Sequence, residues 1–189
     1  MQHEFPNGRL LRLMRGDITQ VEVDAICNAA NSGLRGGGGV DGAIHKAGGP
    51  SLMEELNHIR TAQGGCKTGS AVATSAGNLP AQFVFHAVGP VYQGGRGNEE
   101  DQLASCYRTC LELAQERKLK RISFPSISTG VYGYPLEEAA PIAIGTVFDW
   151  LAELRTTVEE AIFVLFDGRT LAAYENALRA RARGAAGRW

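Results

Sequence analysis

The residues from Asn28 to Gly49, NAANSGLRGGGGVDGAIHKAGG, place four consecutive glycines between an apolar run and a stretch of helical period. Glycine loses more backbone entropy on folding than any other residue, and turning the chain needs only one, so four together call for another reason. Close approach of a ligand to the backbone supplies it. A second loop, STGVYGYPLEEAA, follows another apolar run and opens a helix, with Pro135 at the first turn and Glu137 and Glu138 just after. Helix N-termini present unpaired N–H groups and the positive end of a dipole, and glycines let successive N–H groups face one anion. Two such loops on one sheet edge can clasp a diphosphate. The first helix also opens with a carboxylate, Asp41, which in that position is ordinarily a favourable cap and stays ionised.

Other chemistries that a glycine loop suggests lack their remaining parts. Gly37, Gly39 and Gly42 fit G-x-G-x-x-G between a strand and a helix, the context of a dinucleotide fingerprint. The acid expected about 20 residues later is missing: RTAQGGCKTGSAVATSAG holds no carboxylate, and Glu54 and Glu55 fall inside the helix. No G-x-x-x-x-G-K-[ST] run offers a P-loop, and no G-x-S-x-G run offers a nucleophile elbow. His3, His45, His58 and His86 show no ligand spacing with one another or with Cys27, Cys66, Cys106 and Cys110, so no metal is expected. His45 and His86 read as core residues with satisfied nitrogens, and the cysteines as free, mostly buried thiols.

The elements that must hold these loops are legible as apolar runs rich in β-branched and aromatic residues: LRLMRG, DAICNAA, AVATSAG, FVFHAVGPVY, RISFPSIS and AIFVLF. Stretches of helical period alternate with them: VDGAIHKAGG running on to SLMEELNHIR, then NEEDQLASCYRTCLELAQERK, PLEEAAPIAIGTVFDWLAEL and RTLAAYENALRARA. Continuous apolar strands alternating with helices predict an α/β fold, a three-layer α/β/α sandwich on a mostly parallel sheet. Ligands of such sheets bind beyond the carboxyl ends of the strands, where both glycine loops lie. The 189 residues suit a single domain, 1–189, with Tyr92 to Glu100 as its most flexible internal loop and residues 179–189 as a frayed basic end. With 19 basic against 20 acidic side chains there is no global field to draw in nucleic acid or an anionic membrane. No apolar run approaches the roughly 18 residues of a membrane span, and the N-terminus lacks the build of a signal peptide, so a cytoplasmic protein is expected.

Several ordered motifs together resemble a macrodomain of the MacroD type: GDIT (Gly16 to Thr19), VDAICNAAN (Val23 to Asn31), GGGVDGAIHKAGG (Gly37 to Gly49), CKTGSA, HAVGP and ISTGVYGYP (Ile127 to Pro135). The similarity covers about residues 11–174. It implies binding of ADP-ribose and hydrolysis of its esters, namely O-acetyl-ADP-ribose and ADP-ribose on aspartate or glutamate side chains of proteins. By motif position, Asp17 would accept from the adenine amino group while the Ile18 N–H contacts the ring. Gly38, Gly39 and Val40, with Ser128, Thr129, Gly130, Val131 and Tyr132, would bind the diphosphate and distal ribose, which Asn31 would face. Phe166 sits where the family often packs an aromatic on adenine, although FDGRT after that strand departs from the usual pattern. Read from the residues alone, two alternatives stay open: Asp17 could simply cap a helical turn, a role Asp favours, and Phe166 could simply belong to the core.

The resemblance makes Asp41 informative, because a carboxylate beside a bound diphosphate weakens binding unless it has another task. Two tasks fit: orienting the distal ribose, or accepting a proton from an attacking water. Asn31, able both to donate and to accept, suits holding the ribose or that water in line. Ester hydrolysis by direct water attack needs neither a covalent enzyme intermediate nor a cofactor, and the substrate's own phosphate can also hold the water. A binding module that reads ADP-ribose without turning it over shares the glycine loops and differs only in what Asn31 and Asp41 do.

Overall fold

The continuous apolar runs become strands that are buried on both faces, as the four successive buried positions Ala25, Ile26, Cys27 and Asn28 show. The structure is a computed structural model and describes residues 1–153 and 155–187. In chain order the elements are β1 (Gln2–Glu4), β2 (Leu10–Arg15), a short 3-10 turn (Ile18–Gln20), β3 (Ala25–Ala30), α1 (Gly39–Gly48), α2 (Ser51–Gln63), β4 (Ala71–Ser75), β5 (Phe83–Val88), α3 (Glu99–Glu116), β6 (Arg121–Phe124), α4 (Leu136–Ala152), β7 (Glu160–Leu165) and α5 (Gly168–Ala186). The strands form one sheet of order β1-β2-β7-β6-β3-β5-β4. The inner five run parallel, and β1 and β4 close the two edges antiparallel. Helices α1 and α2 cover one face of the sheet, and α3, α4 and α5 the other. The expected three-layer sandwich on a mostly parallel sheet is thus the observed fold.

The larger core lies under α3–α5, where Tyr107, Phe124, Phe163 and Tyr174 pack ring against ring with centroids 5.1–5.8 Å apart. Fully burying one such apolar side chain contributes roughly 1.5–3 kcal/mol. At the amino ends of the parallel strands, Glu160 of β7 joins Arg12 of β2 and Arg121 of β6 at 2.8 and 2.7 Å. This clamp leaves the carboxyl ends to the loops.

Two expectations need correction. Residues 179–186 are not a frayed end but the last turns of α5. Alanine and arginine are good helix formers, and Arg181 lies over the Phe148 ring, 4.9 Å from its centroid; residues 188 and 189 of the expected tail fall outside the described residues. Pro135 is the residue before α4 rather than inside its first turn. The loop from Tyr92 to Glu100 has residues 93–98 exposed and no regular structure before α3, and within it the buried carboxylate of Glu99 accepts from the Gln93 and Gly97 N–H groups at 2.8 and 3.0 Å.

Candidate active site

The site opens where the sheet's own pairing lapses. Strand β3 matches β5 over six residue pairs but β6 over only two, Ala25 with Ile122 and Ile26 with Ser123. Pro125, directly after β6, has no N–H to extend the ladder, and the Ile127 N–H donates instead to the Tyr107 hydroxyl at 3.0 Å. Beyond that point β3 and β6 part, and a cavity of about 670 Å³ lies between their ends, within the range of small-molecule sites. Every site residue predicted from sequence lines it: Asp17 and Ile18 after β2, Asn31 after β3, Gly38, Gly39, Val40 and Asp41 at the start of α1, Ser128 to Tyr132 after β6, and Phe166 after β7.

The glycine run is shaped by two needs. Gly36 and Gly39 adopt φ of +79° and +58°, which side chains disfavour. Gly42 has a different reason, since a Cβ there would stand 2.6 Å from the Gly37 carbonyl oxygen. Helix α1 has no side-chain cap at Gly38, so its first N–H groups are left to a ligand. Asn31 staples this loop: its Nδ2 donates to the Gly36 carbonyl at 2.8 Å and its Oδ1 accepts from the Arg35 N–H at 3.1 Å. The second loop folds on itself through Gly133 N–H to Gly130 O at 3.0 Å and Tyr134 N–H to Ser128 O at 2.9 Å. From below, Tyr107 donates to the Pro125 carbonyl at 3.3 Å and Tyr174 to Ser126 Oγ at 2.9 Å.

At the far end, Asp17 does cap the 3-10 turn, its Oδ1 accepting from the Thr19 N–H and hydroxyl at 2.9 and 2.7 Å. Both bonds fall on Oδ1, leaving Oδ2 to the cavity. Phe166 is not core: it is 85% exposed on the rim, opposite the fully exposed Val131. Asp167, which caps α5 by accepting from the Thr170 N–H at 2.8 Å, sits beside it.

The carboxylate of Asp41 is buried, at 5% exposure, and it does not stand alone. Its Oδ1 accepts from Asn28 Nδ2 at 2.7 Å, and that same nitrogen lies 3.2 Å from His86 Nδ1. His86 Nε2 in turn lies 2.9 Å from Thr74 Oγ1, which donates to the Ser75 carbonyl at 2.9 Å. A carboxylate only accepts, so the Asn28 group facing it is the NH2, and its second hydrogen finds the lone pair of His86 Nδ1. His86 therefore carries its proton on Nε2. Burial first, and the neighbouring His45 second, push its pKa down to about 3, so the ring is neutral. Asp41 Oδ2 points the other way, toward the glycine run: a Cβ on Gly37 would sit 3.4 Å from it and 4.0 Å from Asn31 Nδ2. His45, one turn along α1, has Nε2 3.3 Å from Asp41 Oδ1 without the angle of a hydrogen bond, so that nitrogen is not satisfied as expected.

Sequence reasoning placed the cavity's lining and read His86 rightly as a core residue with satisfied nitrogens, but missed Asn28 and Thr74 as its partners and the link to Asp41. The signal was a lone Asn in AICNAA and a lone His in FVFHAV, polar side chains in strands buried on both faces. Parallel register sets Asn28 beside His86, and register is what a sequence does not print.

The family model described as Macro domain matches residues 27–143. An O-acetyl-ADP-ribose deacetylase of Salmonella newport is 51% identical over 89% of this chain and 93% of its own. The Oceanobacillus iheyensis macrodomain solved with ADP superposes with a TM-score of 0.92 at 42% identity, covering 97% of each chain. The Trypanosoma brucei macrodomain in complex with ADP-ribose gives 0.81 at 41% identity, over 89% of this chain and 68% of that one. The sheet order, the cavity beyond its parallel strands and these likenesses agree: the chain belongs to the Macro domain family.

Proposed function

We propose that this chain binds ADP-ribose and hydrolyses its esters, O-acetyl-ADP-ribose or ADP-ribose on acidic side chains of proteins. One observation carries the proposal: a buried, oriented carboxylate, Asp41, at the mouth of a helix N-terminus that has no side-chain cap. A pure anion site has no use for a negative charge there. The relative from Salmonella newport named for O-acetyl-ADP-ribose deacetylation, and the neighbours solved with ADP and ADP-ribose, support it.

In this reading the N–H groups of Gly38, Gly39 and Val40 and of Ser128 to Tyr132 close on the diphosphate from two sides. Ile18 N–H and Asp17 Oδ2 meet the adenine edge, and its face lies on Phe166. Asn31 turns its remaining N–H to the distal ribose. Water attacks the acyl carbon, its proton passes to Asp41 Oδ2 or to a phosphate oxygen, the acyl–oxygen bond breaks, and the ribose oxygen leaves with a proton. The test is incubation of the pure protein with O-acetyl-ADP-ribose and with glutamate-linked ADP-ribosylated protein, following release of ADP-ribose. One observation favours a reader instead: Asn31 gives its Oδ1 and one N–H to its own loop. Binding without release of ADP-ribose from any ester would establish that reading.

A further inference from the structure

The hydrogen-bonded chain behind Asp41 crosses three strands. It starts on the edge strand β4 at Thr74, passes through His86 on β5 and Asn28 on β3, and ends on α1. Thr74, His86 and Asn28 are 3%, 0% and 0% exposed, and neither Thr74 nor His86 lines the cavity. Every link of this chain is made, with only Asn28 Oδ1 among its side-chain atoms left buried without a partner, and a strand interior needs no such polar groups.

We propose that Thr74 and His86 are positioning residues for Asp41, fixing through Asn28 the orientation in which its carboxylate meets the substrate. The proposal rests on Asp41 serving ester hydrolysis. Each link has one direction. The Thr74 hydroxyl gives its only hydrogen to the Ser75 carbonyl and so accepts from His86 Nε2–H. His86 Nδ1 is then a lone pair and accepts from Asn28, whose other hydrogen holds Asp41 Oδ1. Reversing any link turns two donors, or two acceptors, toward each other. If Thr74 loses its oxygen, His86 Nε2–H is buried without an acceptor, and the proton is better placed on Nδ1. That proton opposes the Asn28 NH2. Asn28 relieves the clash by turning its amide, which sets Oδ1 against the Asp41 carboxylate. With its amide turned, Asn28 no longer donates to Asp41, which loses the bond that orients it, while the diphosphate loops are untouched.

The test is Thr74→Val, which keeps the β-branched shape and a high strand preference, with Thr74→Ser as the rescue and thermal melting to confirm folding. For Thr74→Val the expected result is a kcat on O-acetyl-ADP-ribose lower by about tenfold, the low end of what losing an outer hydrogen-bond partner costs at metal sites. KM and calorimetric ADP-ribose affinity should stay within about twofold, and Thr74→Ser should restore kcat. A general loss of structure would move all three. Independently of any assay, long-range 15N–1H NMR of the parent should show the His86 proton on Nε2, and Thr74→Val should shift it. A proton on Nδ1 in the parent, or a folded Thr74→Val protein with parental kcat, overturns the proposal. Asp41→Ala measured alongside separates the two claims. Turnover retained there refutes the role of Asp41 and this proposal with it; turnover lost there but kept in Thr74→Val refutes the proposal alone.

Discussion

Removing the Asp41 carboxylate should separate the rate of the reaction from the strength of binding. In Asp41→Ala, one hydrogen of the fully buried Asn28 Nδ2 loses its acceptor while the other keeps His86 Nδ1, and an orphaned donor costs about 1–3 kcal/mol. The first turn of α1 also loses a favourable negative charge, about 0.3–1 kcal/mol. Together these should lower the melting temperature by roughly 3–15 °C, given 2–4 °C per kcal/mol for a domain of this size. The protein stays folded, since single domains commonly have about 5–15 kcal/mol in hand. Affinity for ADP-ribose should hold or rise, because a negative neighbour of the diphosphate has gone. Turnover of O-acetyl-ADP-ribose should fall at least about 100-fold, the smaller contribution of a general base, or about 2.7 kcal/mol of barrier. Calorimetry with ADP-ribose and single-turnover hydrolysis on the same preparation measure both. A folded variant that turns over at the parental rate would refute the assignment and pass the proton to the substrate phosphate. Affinity that falls in step with rate would make Asp41 a binding group.

Three further outcomes follow from the site and the sheet. Gly130→Val should fold normally, since a Cβ there meets nothing within 4 Å and its φ is not positive, yet, with the diphosphate bound as proposed, it should weaken calorimetric ADP-ribose affinity by at least about tenfold (roughly 1.4 kcal/mol) by steric exclusion. Phe166→Ala should leave the melting temperature unchanged, the ring being 85% exposed, and weaken AMP and ADP-ribose alike by roughly 5- to 150-fold, the range of base stacking at 1–3 kcal/mol; equal affinity in parent and variant would remove adenine from this rim. Glu160 is raised by burial but lowered more by the hydrogen bonds of Arg12 and Arg121, so its folded pKa lies below the ordinary 4.5. It therefore stabilises the fold above about pH 4.5 and this contribution is lost as acid carries it through the lower folded value; urea titrations should show a shallower fall below pH 4.5 in Glu160→Gln, and an unchanged slope would count against the clamp.

The fold was legible because strands buried on both faces print as unbroken apolar runs, as in AIFVLF for β7, and because glycine and proline mark where they end. Strand β1 was not: three residues of mixed character, QHE, gain their place only by pairing with β2. The last turns of α5 were hidden because a run of arginines reads as solvated when its packing against Phe148 is out of sight. Within the site, the loops were readable because their constraint is local, a positive φ at Gly39 or a close approach at Gly42. The link from Asp41 to Thr74 spans 33 positions of chain by way of two others, and no local spacing announces it.

The lapse between β3 and β6 bears on how tightly such a site can hold a ligand. The opening is kept by backbone chemistry: a residue with no amide hydrogen at Pro125, and the Ile127 amide held by a buried phenol. The cavity is open in the structure as it stands, with Pro125 in its wall. Association then forfeits the freedom of the ligand and of a few rim side chains such as Phe166, but little of the protein's own, so more of the contact energy survives as affinity. Filling the gap with one more ladder bond would stiffen the sheet and abolish the receptor in the same step.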